Sequence, residues 1–233
     1  MQAKATIPLQ QDDDEDFYPS SDGRPMAESD VHLEEMLYLI AALRIRYQEL
    51  QDVYVGGNLL FYYVRGDRKA SLAPDVFVVK GVAKRRRKSY LLWKEGRGPS
   101  FVIEVTSRST RKEDLEKKRD FYEQMGVDEY FLYDPLAEYL NPPLQGYRLQ
   151  DGRYRRLSAE PDGSLLSWTT GLRLRREGEH LRLVDLASGQ PLLSFEEVWG
   201  DNQRQAQELR HQAEEIRRKD EEITRLRREL ESR

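Results

Sequence analysis

Apolar residues follow two rhythms along this chain. Between residues 29 and 50 they recur at helical spacing, at Leu33, Met36, Leu37, Ile40 and Leu43, with Ser29 or Asp30 placed to cap the first turn. This spacing predicts a helix that turns those five residues inward. Short β-like runs follow, with turn residues between them: DVYV, NLLFYYV, PDVFVVK, SFVIEV and EYFLYD. One strongly helical segment, TRKEDLEKKRDFYEQM at 110–125, interrupts them, and Gly126 stands where a C-terminal cap belongs. From 145 to 195 the pattern is β again, with turn signals at 151–152, 161–163 and 188–189. Helix, strands, helix, strand predicts an α/β (mixed α+β) core with a central mixed sheet flanked by helices, then a β-rich extension.

The ends of the chain read differently. Residues 1–27 are rich in Gln, Asp, Ser and Pro, with DDDED at 12–16, a composition expected of a mobile tail. Residues 28–198 are expected to form the folded domain and 199–233 a charged helix. In that helix Leu209, Ile216, Ile223 and Leu230 are spaced by seven, with Ala206, Ala213, Asp220 and Arg227 as companions. The seam is therefore apolar only in its first half. A short coiled coil joining two copies fits this pattern, and so does a solvated helix of balanced charge.

Composition narrows the chemistry. The 233 residues suffice for one sizeable domain with appendages. The absence of cysteine removes disulfides and thiolate zinc sites and fits a cytoplasmic protein. Three scattered histidines argue against a histidine-rich metal site. No apolar run approaches the roughly 20 residues of a membrane span, and residues 1–16 lack the apolar segment of a signal peptide. With a net charge of −4, affinity for nucleic acid would have to come from local patches.

Three residues stand out from a bland core. Asp75 opens the apolar run VFVV and follows Pro74, which favours an extended approach to the strand; a turn residue is the plainer reading. Glu104 lies inside FVIEV, where a buried carboxylate is costly unless it is paired, hydrogen-bonded or bound to metal. An edge strand with Glu104 facing water is the alternative. Lys118 sits at the centre of its helix's apolar face: Leu115, Phe121, Tyr122 and Met125 all fall within about 60° of it, whereas Lys117 lies on the flank. An Asp114–Lys118 pair four residues apart would also satisfy it.

Two carboxylates on neighbouring strands make a hard oxygen site suited to Mg²⁺ or Mn²⁺. With a lysine nearby, such a set suits metal-assisted hydrolysis of a phosphodiester. The chain has no cysteine nucleophile, no GxSxG elbow, no Walker loop and no HExxH. The basic run Lys84, Arg85, Arg86, Arg87 and Lys88 offers contacts to a phosphate backbone, or is a solvated loop. Ser107, Ser109 and Thr110 are expected to cap the helix that follows.

The order PD at 74–75, IEVTSRSTRKED at 103–114 and KKRDFYEQMGVDEYFLYDP at 117–135 resembles the Uma-type endonuclease family, a branch of the PD-(D/E)XK nuclease superfamily. The likeness spans roughly 28–198. It implies a restriction-endonuclease-like core. It also implies that Asp75 and Glu104 bind the metal, that the main-chain carbonyl of Val105 is a further ligand, and that Lys118 is the catalytic lysine. Thr106 stands where the superfamily pattern places a lysine, so the following helix would supply it. The expected function is a Mg²⁺-dependent (or Mn²⁺-dependent) endonuclease acting on DNA, as a homodimer aided by the C-terminal helix and without contact to a membrane. The alternative is a non-catalytic module of the same fold that binds nucleic acid or a protein partner.

Overall fold

A computed structural model describes residues 17–21, 29–106 and 113–232. The tail expected at 1–27 lies outside the described residues except for 17–21, as do Ser107, Ser109, Thr110 and Arg111. The chain divides into two compact units, Met1–Leu192 and Leu193–Arg233.

Helix α1 (Asp30–Arg46) starts at Ser29, whose hydroxyl accepts from the His32 N–H at 3.3 Å. Its inward face differs from the expected one. Met36 and Leu43 are buried as predicted, but Leu33 and Leu37 are 44 % and 55 % exposed, and the buried set is His32, Glu35, Met36, Leu39, Ala42 and Leu43. The cause is polar. His32 and Glu35 each have a partner in the interior, and satisfying them rotates the two leucines outward.

The central sheet has the order β1 (Val53–Gly56), β4 (Val76–Lys80), β6 (Phe101–Val105), β7 (Glu129–Tyr133), β8 (Leu144–Gln150) and β9 (Arg153–Arg156). Its β6–β7 pair is parallel and its other pairs are antiparallel, so the sheet is mixed as expected. Both faces are covered, which is why the middle strands read as continuous apolar runs rather than alternating ones. One face carries Val76, Val78, Ile103, Val105 and Phe131 against α1 and a second sheet, β10 (Leu165–Ser167), β11 (Leu172–Glu177) and β12 (His180–Asp185). The other carries Phe77, Val102, Tyr130 and Leu132. It is covered by helix α3 (Arg119–Met125) and by the small sheet of β2 (Phe61–Tyr62), β3 (Ser71–Leu72) and β5 (Tyr90–Leu91). A single turn of helix, α2 (Leu92–Glu95), follows β5.

A π-helical segment, Glu113–Lys118, leads directly into α3, which ends at Gly126 with a φ of 78°. The wider turn departs from the 100° spacing of a regular helix, and such segments are frequent at functional sites.

The β-rich extension is moored by a buried acid. Glu35 accepts from the Leu181 N–H at 2.9 Å and lies 2.5 Å from Nδ1 of His180. Glu35→Ala strands that buried N–H, at a cost of about 1–3 kcal/mol. Urea unfolding should report a lower midpoint, with earlier amide exchange across β12; an unchanged midpoint would remove this role.

In the second unit, α4 (Phe195–Glu231) begins earlier than the 199 expected because Ser194 and Glu197 form a capping box. Leu209, Ile216, Ile223 and Leu230 are all exposed along it.

Candidate active site

Alternation along β6 sends Ile103 and Val105 to the α1 face and Glu104 to the α3 face. There Glu104 is fully buried, so the edge-strand alternative is excluded. Its carboxylate is held from three elements. Lys118 Nζ donates to Oε2 at 2.9 Å from the end of the π-helical segment, and the Tyr122 hydroxyl donates to Oε1 at 2.6 Å from the next turn, in α3. The Asp75 N–H reaches Oε2 at 3.3 Å from the approach to β4.

Asp75 returns the contact. Its Oδ2 accepts from the Val105 N–H at 2.8 Å and from His32 Nε2 at 3.2 Å. Glu104 therefore accepts from the Asp75 main chain, and Asp75 from the N–H of the residue after Glu104, across the β4–β6 pair. Gly57 backs the arrangement: a side chain there would approach the Asp75 carbonyl to 2.5 Å. Burial alone would raise the Asp75 carboxyl, but the His32 hydrogen bond, the Lys118 charge and the Val105 N–H hold it below the usual carboxylate range. Burial, reinforced by the Glu104 charge, pushes the Tyr122 phenol well above its ordinary value. At neutral pH Tyr122 is thus a fixed donor.

Thr106, where the resemblance leads one to expect a lysine, is buried and turned to the sheet, with its N–H 2.7 Å and its hydroxyl 3.3 Å from the Tyr133 carbonyl. Lys118 brings an ammonium to the same carboxylate from the other side of the crossover. Lys117 is exposed, as the angular argument requires. The side chain of Asp114, and with it the Asp114–Lys118 pair expected as an alternative, lies outside the described residues. His32 was not singled out by the sequence. Its only signal is a histidine in the first turn of an otherwise apolar-faced helix.

The basic run does not behave as a uniform patch. Lys84 Nζ caps the end of α1 through the carbonyls of Tyr47 and Gln48 at 2.8 and 2.7 Å. Arg87 is almost fully buried, forked onto Glu95 at 2.8 and 2.7 Å with its guanidinium 4.2 Å from the Tyr54 ring centre. Arg85, Arg86 and Lys88 point outward. None of the five joins the Asp75–Glu104 cluster through a described contact.

Over residues 8–181 the chain matches the Uma2 family, described as "Putative restriction endonuclease". It belongs to that family. Among solved structures, the Uma2 chain is similar to one titled as a "putative nuclease belonging to DUF820" from Anabaena variabilis, with 17% identity, a TM-score of 0.46, and coverage of 63% of this chain and 76% of that one. No curated protein matches. Membership of the Uma2 family supports a nuclease role, as the motif order of the sequence implied. No helix among the described residues is long and apolar enough to cross a membrane.

Proposed function

We propose that this Uma2 protein is a divalent-metal-dependent endonuclease that hydrolyses phosphodiester bonds of DNA, using Asp75, Glu104 and Lys118. The observation that carries the reading is the 2.9 Å contact from Lys118 Nζ to Glu104 Oε2, made from the helix after β6 while Thr106 occupies the usual lysine position. A fully buried carboxylate paired with a half-buried lysine, beside a second carboxylate held by a main-chain N–H, is expensive to maintain for stability alone.

The donor chemistry suits a hard cation. Among the described residues no three His, Cys, Asp or Glu side chains gather as a ligand cluster. An ion would therefore rest on Asp75, Glu104, the Val105 carbonyl and water, and Mg²⁺ is commonly held by one or two carboxylates with several waters retained. When bound, such an ion polarises a phosphoryl oxygen and acidifies a coordinated water. The residues of the chain do the rest. Tyr122 and the Asp75 N–H fix the Glu104 carboxylate in one orientation, and His32 with the Val105 N–H fixes Asp75. Lys118 holds positive charge where negative charge grows on the phosphorus oxygens.

The test is cleavage of supercoiled plasmid with Mg²⁺ or Mn²⁺ by the full chain, with metal binding read separately by calorimetry. Metal binding with cleavage supports the reading. Neither would favour a non-catalytic module of the same fold.

The exposed Leu209, Ile216, Ile223 and Leu230 stripe favours pairing of two chains through α4, so that two sites could act on two strands. A chain ending at Leu192 should then have the mass of a monomer by light scattering, and the full chain twice its own monomer mass. Monomers in both cases would end the dimer proposal.

A further inference from the structure

The alternation inside residues 84–88 has a consequence beyond the Asp75–Glu104 cluster. Lys84 and Arg87 are nailed into the fold, one on the end of α1 and the other between Glu95 and the Tyr54 and Tyr90 rings. Between and after these anchors Arg85, which also reaches Glu95 Oε1 at 2.7 Å, Arg86 and Lys88 are exposed. A solvated basic loop needs no such anchors.

These three line a groove of about 690 Å³ together with Lys94 from α2 and the hydroxyl residues Ser20 and Ser89. Its far wall is a described stretch of the N-terminal segment. Tyr18 is buried against Tyr62 and Trp93 at ring separations of 5.0 and 4.8 Å, and the Tyr62 hydroxyl donates to the Pro19 carbonyl at 2.9 Å. Among the lining residues Glu95 is the one acid; Arg87 bonds both of its oxygens, and Arg85 shares Oε1 at 2.7 Å. The groove is therefore strongly positive on a chain whose net charge is −4.

Its place along the sheet matters. Asp75 precedes the first residue of β4, whereas Gly81 and Lys84 continue past its last, bonded to the carbonyls of Asp52 and Gln51. The groove thus lies beyond the opposite end of a five-residue strand. That strand is about 16 Å long at about 3.3 Å per residue, which matches about five phosphates at 3.4 Å along one strand of a duplex.

We propose that this groove is a second contact for the phosphodiester backbone of nucleic acid, separate from the Asp75–Glu104 cluster, with Arg86, Lys88 and Lys94 as its principal cations. It rests on the reading of the chain as a nuclease only in naming the ligand. Its role is to set register and affinity, because contacts to the backbone position a protein without reading bases.

The test is anisotropy of a fluorescein-labelled 20-base-pair DNA duplex with the full chain in EDTA, where cleavage plays no part. Arg86→Glu/Lys88→Glu should bind at least 10-fold more weakly at 50 mM NaCl. The slope of log Kd on log salt should fall by about two, since each lost phosphate contact removes about 0.9. Arg217→Glu/Arg218→Glu on α4 changes net charge equally and should leave affinity within two-fold. Wild-type affinity and slope in the groove variant, or an equal loss in the α4 variant, overturns the proposal. An RNA duplex of the same sequence that binds more tightly and loses as much would make RNA the source of the backbone. Loss of binding without cleavage under any metal condition would sink the nuclease reading and leave the groove standing; cleavage with an indifferent groove would do the reverse.

Discussion

Glu104→Gln is expected to lower plasmid cleavage about 10²–10³-fold, the range typical for removing one preorganised electrostatic partner, while leaving the chain folded. The substitution keeps the shape of the side chain. Its amide oxygen can still accept from Tyr122, which donates at 2.6 Å to Oε1 of the acid. What disappears is the negative charge, the acceptor at Oε2 and, in the proposed mechanism, one of two metal-binding carboxylates; the amide NH2 then faces the Lys118 ammonium and the Asp75 N–H. Calorimetric titration with Mn²⁺ should show weaker binding than wild type. Conversion of supercoiled to nicked or linear plasmid at the wild-type rate would mean that Glu104 has no part in the chemistry, whatever its surroundings.

Glu104 was legible because three aliphatic neighbours made its burial conspicuous, and β6 is indeed buried along all five residues. Other acids are as deeply buried and gave no such signal. Glu129 opens β7 and is met by Arg148 at 2.9 Å, the Ser167 hydroxyl at 2.5 Å and two main-chain N–H groups. Asp134 accepts from the N–H groups of Tyr139 and Leu140. Their partners explain them structurally, yet most of those partners lie far along the chain, where no local pattern could announce them. Lys118 was reachable from helical angles because it and Tyr122 are four residues apart across the start of α3, which the π-helical segment does not disturb. His32 was not reachable. A criterion based on apolar spacing chose Leu33 and Leu37 for the interior, and only the position of Asp75, 43 residues away, explains why the helix turns otherwise. The basic run misled in another way: its composition is uniform, whereas Glu95 and the end of α1 divide it into anchors and displayed cations.

Lys118→Met separates what holds the site together from what the site does. The substitution takes the ammonium away from Glu104, which is fully buried and still accepts from Tyr122 and the Asp75 N–H. Breaking one side of a buried ion pair costs roughly 3–5 kcal/mol, so the urea midpoint should fall markedly. Cleavage should fall about 10²–10³-fold by loss of the charge proposed to stabilise the transition state. Glu104→Gln/Lys118→Met removes both charges together, and its destabilisation should be less than the sum of the single changes by about 0.5–3 kcal/mol, the range for residues in contact. Cleavage should not recover in that double variant. If stability and activity returned together, the lysine would be serving only the fold, because nothing catalytic would have been replaced. If the two stability effects simply added, the 2.9 Å contact would carry little energy, and the case for a dedicated lysine on the crossover helix would lose its main support.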